Sequence, residues 1–322
     1  MHRKRDKFFM TLKGDPLWAD VTPVELNAVD GDLAVINLSS AFIECHSYFY
    51  ALYHSGEKSE RCLNITAEVI RHNSANYTAW YWRRKCLEDI DCAKWSDSEI
   101  AFANDWAIKS PKNYQVWFHR RWLVEQLKSS VPAMLSSELQ YLDKVFDEDS
   151  KNYNAWSHRL FVTTLFGTAA SEEELQFTDV MLVKDIRNNS AWSYRRQLLD
   201  RMHPEGLNSS RCLEEVAFCL EALELTPDNE SPWCYLRSLP GWHEVHDVET
   251  FCERRLMDMR NSKSGLPLCR HALGTLFELS KMHDRDTEHI IRDLIENDPI
   301  RQGYWQYLLD NLAYPPNCVP WK

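Results

Sequence analysis

Apolar residues recur three and four apart along much of the chain, as at Leu139, Leu142, Val145 and Phe146, with charged and amide residues between them. That spacing lays one apolar stripe along an α-helix. Each stripe is short. It is interrupted by Asp, Ser, Pro or Asn, and a second helix then opens around a tryptophan. Aligned on that residue, the chain gives Asn76-Tyr-Thr-Ala-Trp80, Asn113-Tyr-Gln-Val-Trp117, Asn152-Tyr-Asn-Ala-Trp156, Asn188-Asn-Ser-Ala-Trp192 and Asn229-Glu-Ser-Pro-Trp233, at intervals of 37, 39, 36 and 41 residues. A period of this length predicts an all-α solenoid of stacked helical hairpins, because one hairpin cannot bury its own apolar face.

Start signals in similar phase precede each tryptophan: Ser96-x-x-Glu99, Ser137-x-x-Gln140 and Ser171-x-x-Glu174. In such a box the serine oxygen caps the first turn while the Glu or Gln reaches back, so these are expected to mark the first helix of each hairpin. The expected units are residues 59–93, 96–130, 135–169, 171–205 and 212–246. Residues 1–58 hold Trp18 and an aromatic stripe (Phe42, Tyr48, Phe49, Tyr50 and Tyr53) that suits an amphipathic cap or a divergent helix pair. Residues 247–322 are expected to hold degenerate repeats and a tail, since Arg301-Gln-Gly-Tyr-Trp305 falls 72 residues after Trp233, two periods of 36.

Within the second helix, Arg120 and Arg121 follow Trp117, and Arg195 and Arg196 follow Trp192, at three and four positions, spacings that share a face. The expected packing has the Trp filling the space between hairpins and a half-packed Arg reaching an acidic group or a carbonyl at the preceding helix terminus. His119 and His158 occupy the slot two after the Trp, held elsewhere by Trp82, Tyr194 and Tyr235. They are therefore read as packing residues rather than as catalytic groups or metal ligands.

Composition narrows the class of partner. The 322 residues are 44% hydrophobic and 26% charged, with 9 Gly and 13 Pro, a folded chain with little room for linkers. A formal charge of -11 disfavours nucleic acid and anionic lipid surfaces, so an anion site would have to be a local basic cluster. No stretch approaches a membrane span, so no membrane insertion is expected. The basic run Met1-His2-Arg3-Lys4-Arg5-Asp6-Lys7 is followed only by Phe8-Phe9-Met10, too short for the apolar region of a signal peptide. Ten cysteines without a Cys-x-x-Cys pair then read as free thiols in a reducing compartment, the cytoplasm. The chain has no Gly-rich phosphate loop, no His-Glu-x-x-His, no Gly-x-Ser-x-Gly and no carboxylate pair that stands out from its 48 acidic residues. By itself it does not read as a complete enzyme.

One local feature survives. The turn before the Trp helix carries a basic residue five before the Trp in three consecutive copies, Lys112, Lys151 and Arg187. Beside helix N-termini, whose free amides and dipole favour negative charge, such a row is open to two interpretations: an anion groove or solvated loop cations.

The string Pro111-Lys-Asn-Tyr-Gln-Val-Trp-Phe-His-Arg-Arg121, with Lys151-Asn-Tyr-Asn-Ala-Trp-Ser-His-Arg159 and Arg187-Asn-Asn-Ser-Ala-Trp192, resembles the alpha repeats of the protein prenyltransferases. It is most similar to those of the alpha subunit shared by protein farnesyltransferase and geranylgeranyltransferase type I, and the resemblance covers about residues 18–310. Tetratricopeptide repeats have a period of 34 and a different pattern, which is missing here. The resemblance implies a right-handed superhelical crescent wrapped around a beta subunit that holds a catalytic zinc, with no metal ligand in this chain and magnesium required for the farnesyl reaction. It implies attack of the zinc-bound thiolate of a C-terminal Cys-a-a-X protein, such as a small GTPase, on an isoprenoid diphosphate.

By the same resemblance Lys112 would contact the diphosphate, where a fixed cation facing the developing charge contributes roughly 2 to 4 kcal/mol. Gln115 would bond the substrate's terminal carboxylate, and Tyr77, Tyr114 and Tyr153 would border the substrate groove. Asn154 stands where the family often has a diphosphate-contacting histidine; its amide donates a hydrogen bond but no charge. The alternative is a non-catalytic scaffold whose basic row binds acidic peptides. The tail, Cys318-Val-Pro-Trp-Lys322, is one residue too long for a Cys-a-a-X box, so the chain is not expected to be its own substrate.

Overall fold

The computed structural model describes residues 12–26, 36–129, 133–262 and 266–312. The basic run over residues 1–7 and the Cys318 tail lie outside them. The chain forms two compact units, Met1–Phe166 and Gly167–Lys322. The secondary structure among the described residues is helical throughout.

In the first unit a short 3-10 turn, Pro16–Trp18, precedes α1 (Ser40–Ser55), α2 (Glu60–His72), α3 (Tyr77–Glu88), α4 (Ser96–Lys109), α5 (Tyr114–Leu127), α6 (Met134–Glu148) and α7 (Tyr153–Leu165). Helices α2 and α3, α4 and α5, and α6 and α7 pack as hairpins, α1 covers α2, and the Trp helices α3, α5 and α7 pack in succession. Trp18 is buried edge-on against Tyr48 of α1, with ring centroids 5.5 Å apart, and Arg61 ties this segment to α2 through Asp20 and the Leu17 carbonyl. One apolar cluster, including Leu87, Trp95, Leu123, Leu127, Met134 and Val162, runs through three hairpins. This continuity is what an isolated hairpin cannot supply.

The second unit contains α8 (Glu172–Lys184), α9 (Asn189–Met202), α10 (Ser209–Leu225), α11 (Glu230–Ser238), α12 (His246–Asn261), α13 (Arg270–Met282), α14 (Glu288–Asn297) and α15 (Gln302–Asp310). They pair in sequence as four hairpins. In the last two the signature changes: Cys269 stands at the helix boundary before α13, and its thiol donates to the Pro227 carbonyl.

The serine boxes behave differently from expectation. Ser171 caps α8, accepting from the Glu174 amide at 3.3 Å. Ser96, however, is already the first residue of α4, behind an uncapped Trp95, and Ser137 lies inside α6, which begins at Met134. Burial explains both. Met134 belongs to the apolar cluster, so α6 starts early enough to place it there, and Glu99 turns inward to a buried arginine instead of reaching back.

Candidate functional site

Each of the five repeat tryptophans is buried, and its indole N–H donates to the carbonyl six residues earlier, in the turn that precedes its helix. The acceptors are Ser74, Pro111, Ser150, Ile186 and Pro227, at 2.7 to 2.9 Å. Each repeat asparagine caps the same helix, as Asn113 Oδ1 does for the Gln115 amide at 3.0 Å and Asn152 Oδ1 for the Ala155 amide at 3.1 Å. The asparagine's own N–H₂ reaches back one repeat. Asn113 Nδ2 donates to the Ser74 carbonyl at 2.6 Å, Asn152 Nδ2 to Pro111 at 3.3 Å, and Asn229 Nδ2 to Ile186 at 3.0 Å. One carbonyl thus receives its own Trp and the next repeat's Asn, which stitches successive turns side by side.

That stitching assembles the predicted residues. All six lie in the first unit, at the starts of α3, α5 and α7. Tyr77, Tyr114 and Tyr153 are the first residues of those helices and are 69%, 67% and 81% exposed. Lys112 is exposed in the turn before α5 and forms no ion pair among the described residues. Gln115, half-buried in the first turn of α5, leaves its side-chain amide without a hydrogen-bond partner there. Asn154 Nδ2 lies 3.5 Å from the Pro111 carbonyl, against the turn that carries Lys112. An exposed cation, two side-chain amides and three phenols are therefore grouped beside three helix N-termini, an arrangement suited to holding an anion and a polar peptide end. Lys151 occupies the matching turn of the next repeat in this unit, whereas Arg187 lies in the second unit. No set of three or more His, Cys, Asp or Glu among the described residues is placed to hold a metal, and the ammonium, amide and phenol groups of this row are not a zinc donor set.

The strongest electrostatics lie beneath the row, in a pairing of arginines with buried glutamates that no sequence pattern joined. Arg83, Arg120 and Arg195 are buried rather than half-packed, and each makes a two-pronged ion pair with a buried glutamate in the first helix of the following repeat: Glu99, Glu138 and Glu215, at 2.6 to 2.9 Å. The slot two after the Trp bonds a glutamate of its own hairpin, in three cases the one the arginine holds. His119 Nε2 bonds Glu99 at 2.7 Å, His158 Nε2 bonds Glu138 at 2.8 Å, and the Tyr194 and Tyr235 hydroxyls donate to Glu174 and Glu215. In each case the partners are 20 residues apart, so a glutamate at fixed distance before the His/Tyr slot was a readable signal.

Burial pushes the Glu99 carboxyl up, but Arg83 and His119 more than offset it and hold it down to about 2. Glu138 is held low in the same way by Arg120 and His158. Burial pushes both histidines down, so each stays neutral and donates a hydrogen bond from its Nε2–H to the carboxylate, leaving Nδ1 unpartnered. These histidines pack and bond within the core.

Comparison with known proteins adds to this geometry. The model of the protein prenyltransferase alpha subunit repeat matches residues 59–90, 96–127, 135–166, 171–202 and 212–240. The chain is 31% identical to the protein farnesyltransferase/geranylgeranyltransferase type-1 subunit alpha of Dictyostelium discoideum, over 96% of this chain and 97% of that one. It is 30% identical to the geranylgeranyl transferase type-2 subunit alpha of Rattus norvegicus, over 60% of this chain but 36% of the rat protein. Its fold matches a chain of Candida albicans protein geranylgeranyltransferase-I complexed with GGPP, with a TM-score of 0.79 at 24% identity, covering 91% of this chain and 97% of that one.

Proposed function

Because the chain belongs to the protein prenyltransferase alpha subunit family, we propose that it is the alpha subunit shared by farnesyltransferase and geranylgeranyltransferase type I, active as a heterodimer with a beta subunit. Identity of 31% over 96% of this chain to the Dictyostelium type-1 subunit, against 24% over 78% to the type-2 subunit alpha of Saccharomyces cerevisiae, supports type I over type II. The non-catalytic acidic-peptide scaffold is not favoured by this membership.

In this proposal the beta subunit carries the zinc, which activates the thiol of a C-terminal Cys-a-a-X protein such as a small GTPase, and magnesium serves the farnesyl reaction. This chain's own residues act on the leaving group and the peptide. Lys112 holds the isoprenoid diphosphate and faces the negative charge that grows as the carbon–oxygen bond breaks, contributing about 2 to 4 kcal/mol. Gln115 offers its unpartnered amide to the peptide's terminal carboxylate, and Tyr77, Tyr114 and Tyr153 border the groove. Asn154, drawn toward the Pro111 carbonyl, has a second amide hydrogen available for the diphosphate.

The observation that carries the proposal is Lys112: an exposed ammonium with no ion pair among the described residues, fixed in a turn that Trp117 and Asn152 both grip through Pro111. Free thiols at eight cysteines, seven of them buried, fit a reducing compartment such as the cytoplasm. No helix among the described residues is long and apolar enough to cross a membrane. Co-expression with candidate type-I and type-II beta subunits tests the proposal. Transfer of labelled isoprenoid to a Cys-a-a-X peptide only when both chains are present supports it, and activity confined to a type-II partner overturns it.

A further inference from the structure

Arg84 is 8% exposed, and its Nη1 has no hydrogen-bond partner. No carboxylate, hydroxyl or carbonyl meets this guanidinium among the described residues; it lies over the Phe118 ring, 4.7 Å from the centroid. Burial pushes its pKa down against the weaker pull of Glu88, one turn on, whose carboxylate is bonded to Lys85 at 2.7 Å. The other arginines at this position, four after the repeat Trp, all have acceptors. Arg121 donates to Ser157 Oγ at 2.5 Å, Arg196 bonds Asp200 and the Ser238 carbonyl, and Arg237 pairs with Glu278 at 2.9 Å.

Comparing two adjacent copies accounts for the difference. Arg121 reaches the residue one after the next Trp, which is Ser157; the same reach from Arg84 meets Phe118, whose ring stacks on a guanidinium but accepts no hydrogen bond from its edge. Phe118 is itself 56% exposed, and Tyr81, one turn before Arg84 on α3, is 45% exposed. Together they form an aromatic face around Arg84 on α3 and α5, one turn on from Tyr77 and Tyr114. A buried, unpaired Arg ringed by exposed Tyr and Phe has the composition of an interface centre. Its missing element is an anion in direct hydrogen-bond contact.

We propose that this face docks the beta subunit, which inserts a carboxylate side chain between Tyr81 and Phe118 to form a two-pronged pair with Arg84. The inference rests on the subunit assignment above. It adds the chemistry of the contact: an acidic residue flanked by apolar ones, meeting a cation that the free chain leaves unsatisfied. A lone buried charge costs the free chain stability and rewards the partner that neutralises it, so the two effects are expected to move in opposite directions.

The test compares wild type, Arg84→Met and Arg84→Lys. The dissociation constant is read by dilution of the purified heterodimer, and the melting temperature is read on the full chain alone. Arg84→Met is expected to weaken the heterodimer at least fivefold while the free chain melts at the same temperature or higher. Arg84→Lys, which keeps the charge without the fork, is expected to fall between. A change in affinity below fivefold for Arg84→Met, or a lowered melting temperature of the free chain that accounts for the loss, overturns the inference and leaves the subunit assignment standing. If the wild-type chain forms no heterodimer with any beta subunit, both fall together.

Discussion

Lys112 carries the sharpest prediction at the scale of single residues. Replacing it with alanine is expected to lower turnover about 10²- to 10³-fold, the range for loss of one preorganised charge-stabilising donor, with no change in melting temperature because the side chain is exposed and unpaired. Single-turnover transfer by the heterodimer, followed beside a thermal melt, reads both. Gln115→Ala is expected instead to raise KM for the Cys-a-a-X peptide and leave KM for the isoprenoid diphosphate in place. Lys112 was visible in the sequence as one of a basic row recurring before three Trp helices, and Gln115 and Asn154 through the family resemblance. Glu99, Glu138 and Glu215 were hidden for a physical reason. Their arginine partners sit 16, 18 and 20 residues away, a separation with no fixed period, and the constant 20-residue step to the His/Tyr slot gains its meaning among 48 acidic residues only once burial is known.

Among the helices and turns, the Asn-x-x-x-Trp signature does more than mark a start. Asn113 caps α5 and clamps the turn of the previous repeat, so Asn113→Ala loses a cap and a bridge together. A cost of about 1 to 2 kcal/mol in urea unfolding is expected, along with reduced transfer activity even where the chain remains folded, because this turn positions Lys112. Asn113→Asp keeps the acceptor and loses the donor; it is expected to retain the cap and still lose activity. Helix existence was legible from apolar spacing, whereas two of three helix starts were not. A Ser-x-x-Glu string has the same letters whether the glutamate folds back to the backbone or turns into the core, and the buried arginine decides it for Glu99.

The buried Arg–Glu–His sets shape how the whole molecule responds to pH. Burial lowers the pKa of His119 and His158 in the folded chain below the ordinary 6.5, so unfolded chains take up protons there that folded chains refuse. Stability from this source is present above about 6.5 and falls as the pH drops through it. Glu99, held down to about 2 from 4.5, contributes a second loss, of the same sign, as the pH falls from about 4.5 toward 2. Tyr194 and Tyr235 hold the same slot with a hydroxyl that does not titrate in this range. His119→Tyr with His158→Tyr is therefore expected to flatten the decline in melting temperature between pH 7.5 and 5.5. An equally steep decline in the double variant would show that the acid sensitivity lies elsewhere. Glu138→Ala, which strands both Arg120 and His158, is expected to cost about 3 to 5 kcal/mol at neutral pH, more than either histidine change.

The glutamate set also gives the chain two kinds of length. Within a hairpin the step from Glu to the His/Tyr slot is 20 residues in all four instances, while the step from Arg to the next hairpin's Glu runs 16, 18 or 20. The first is metric and the second is slack. Two residues added between α5 and α6 should be absorbed by the loop, leaving melting and transfer near wild type. The same two residues added between α4 and α5 would carry His119 out of reach of Glu99 and Asn113 out of reach of Ser74, detuning two joints with a single edit. Natural variation in a molecule built this way should accumulate as indels between hairpins and as substitutions within them.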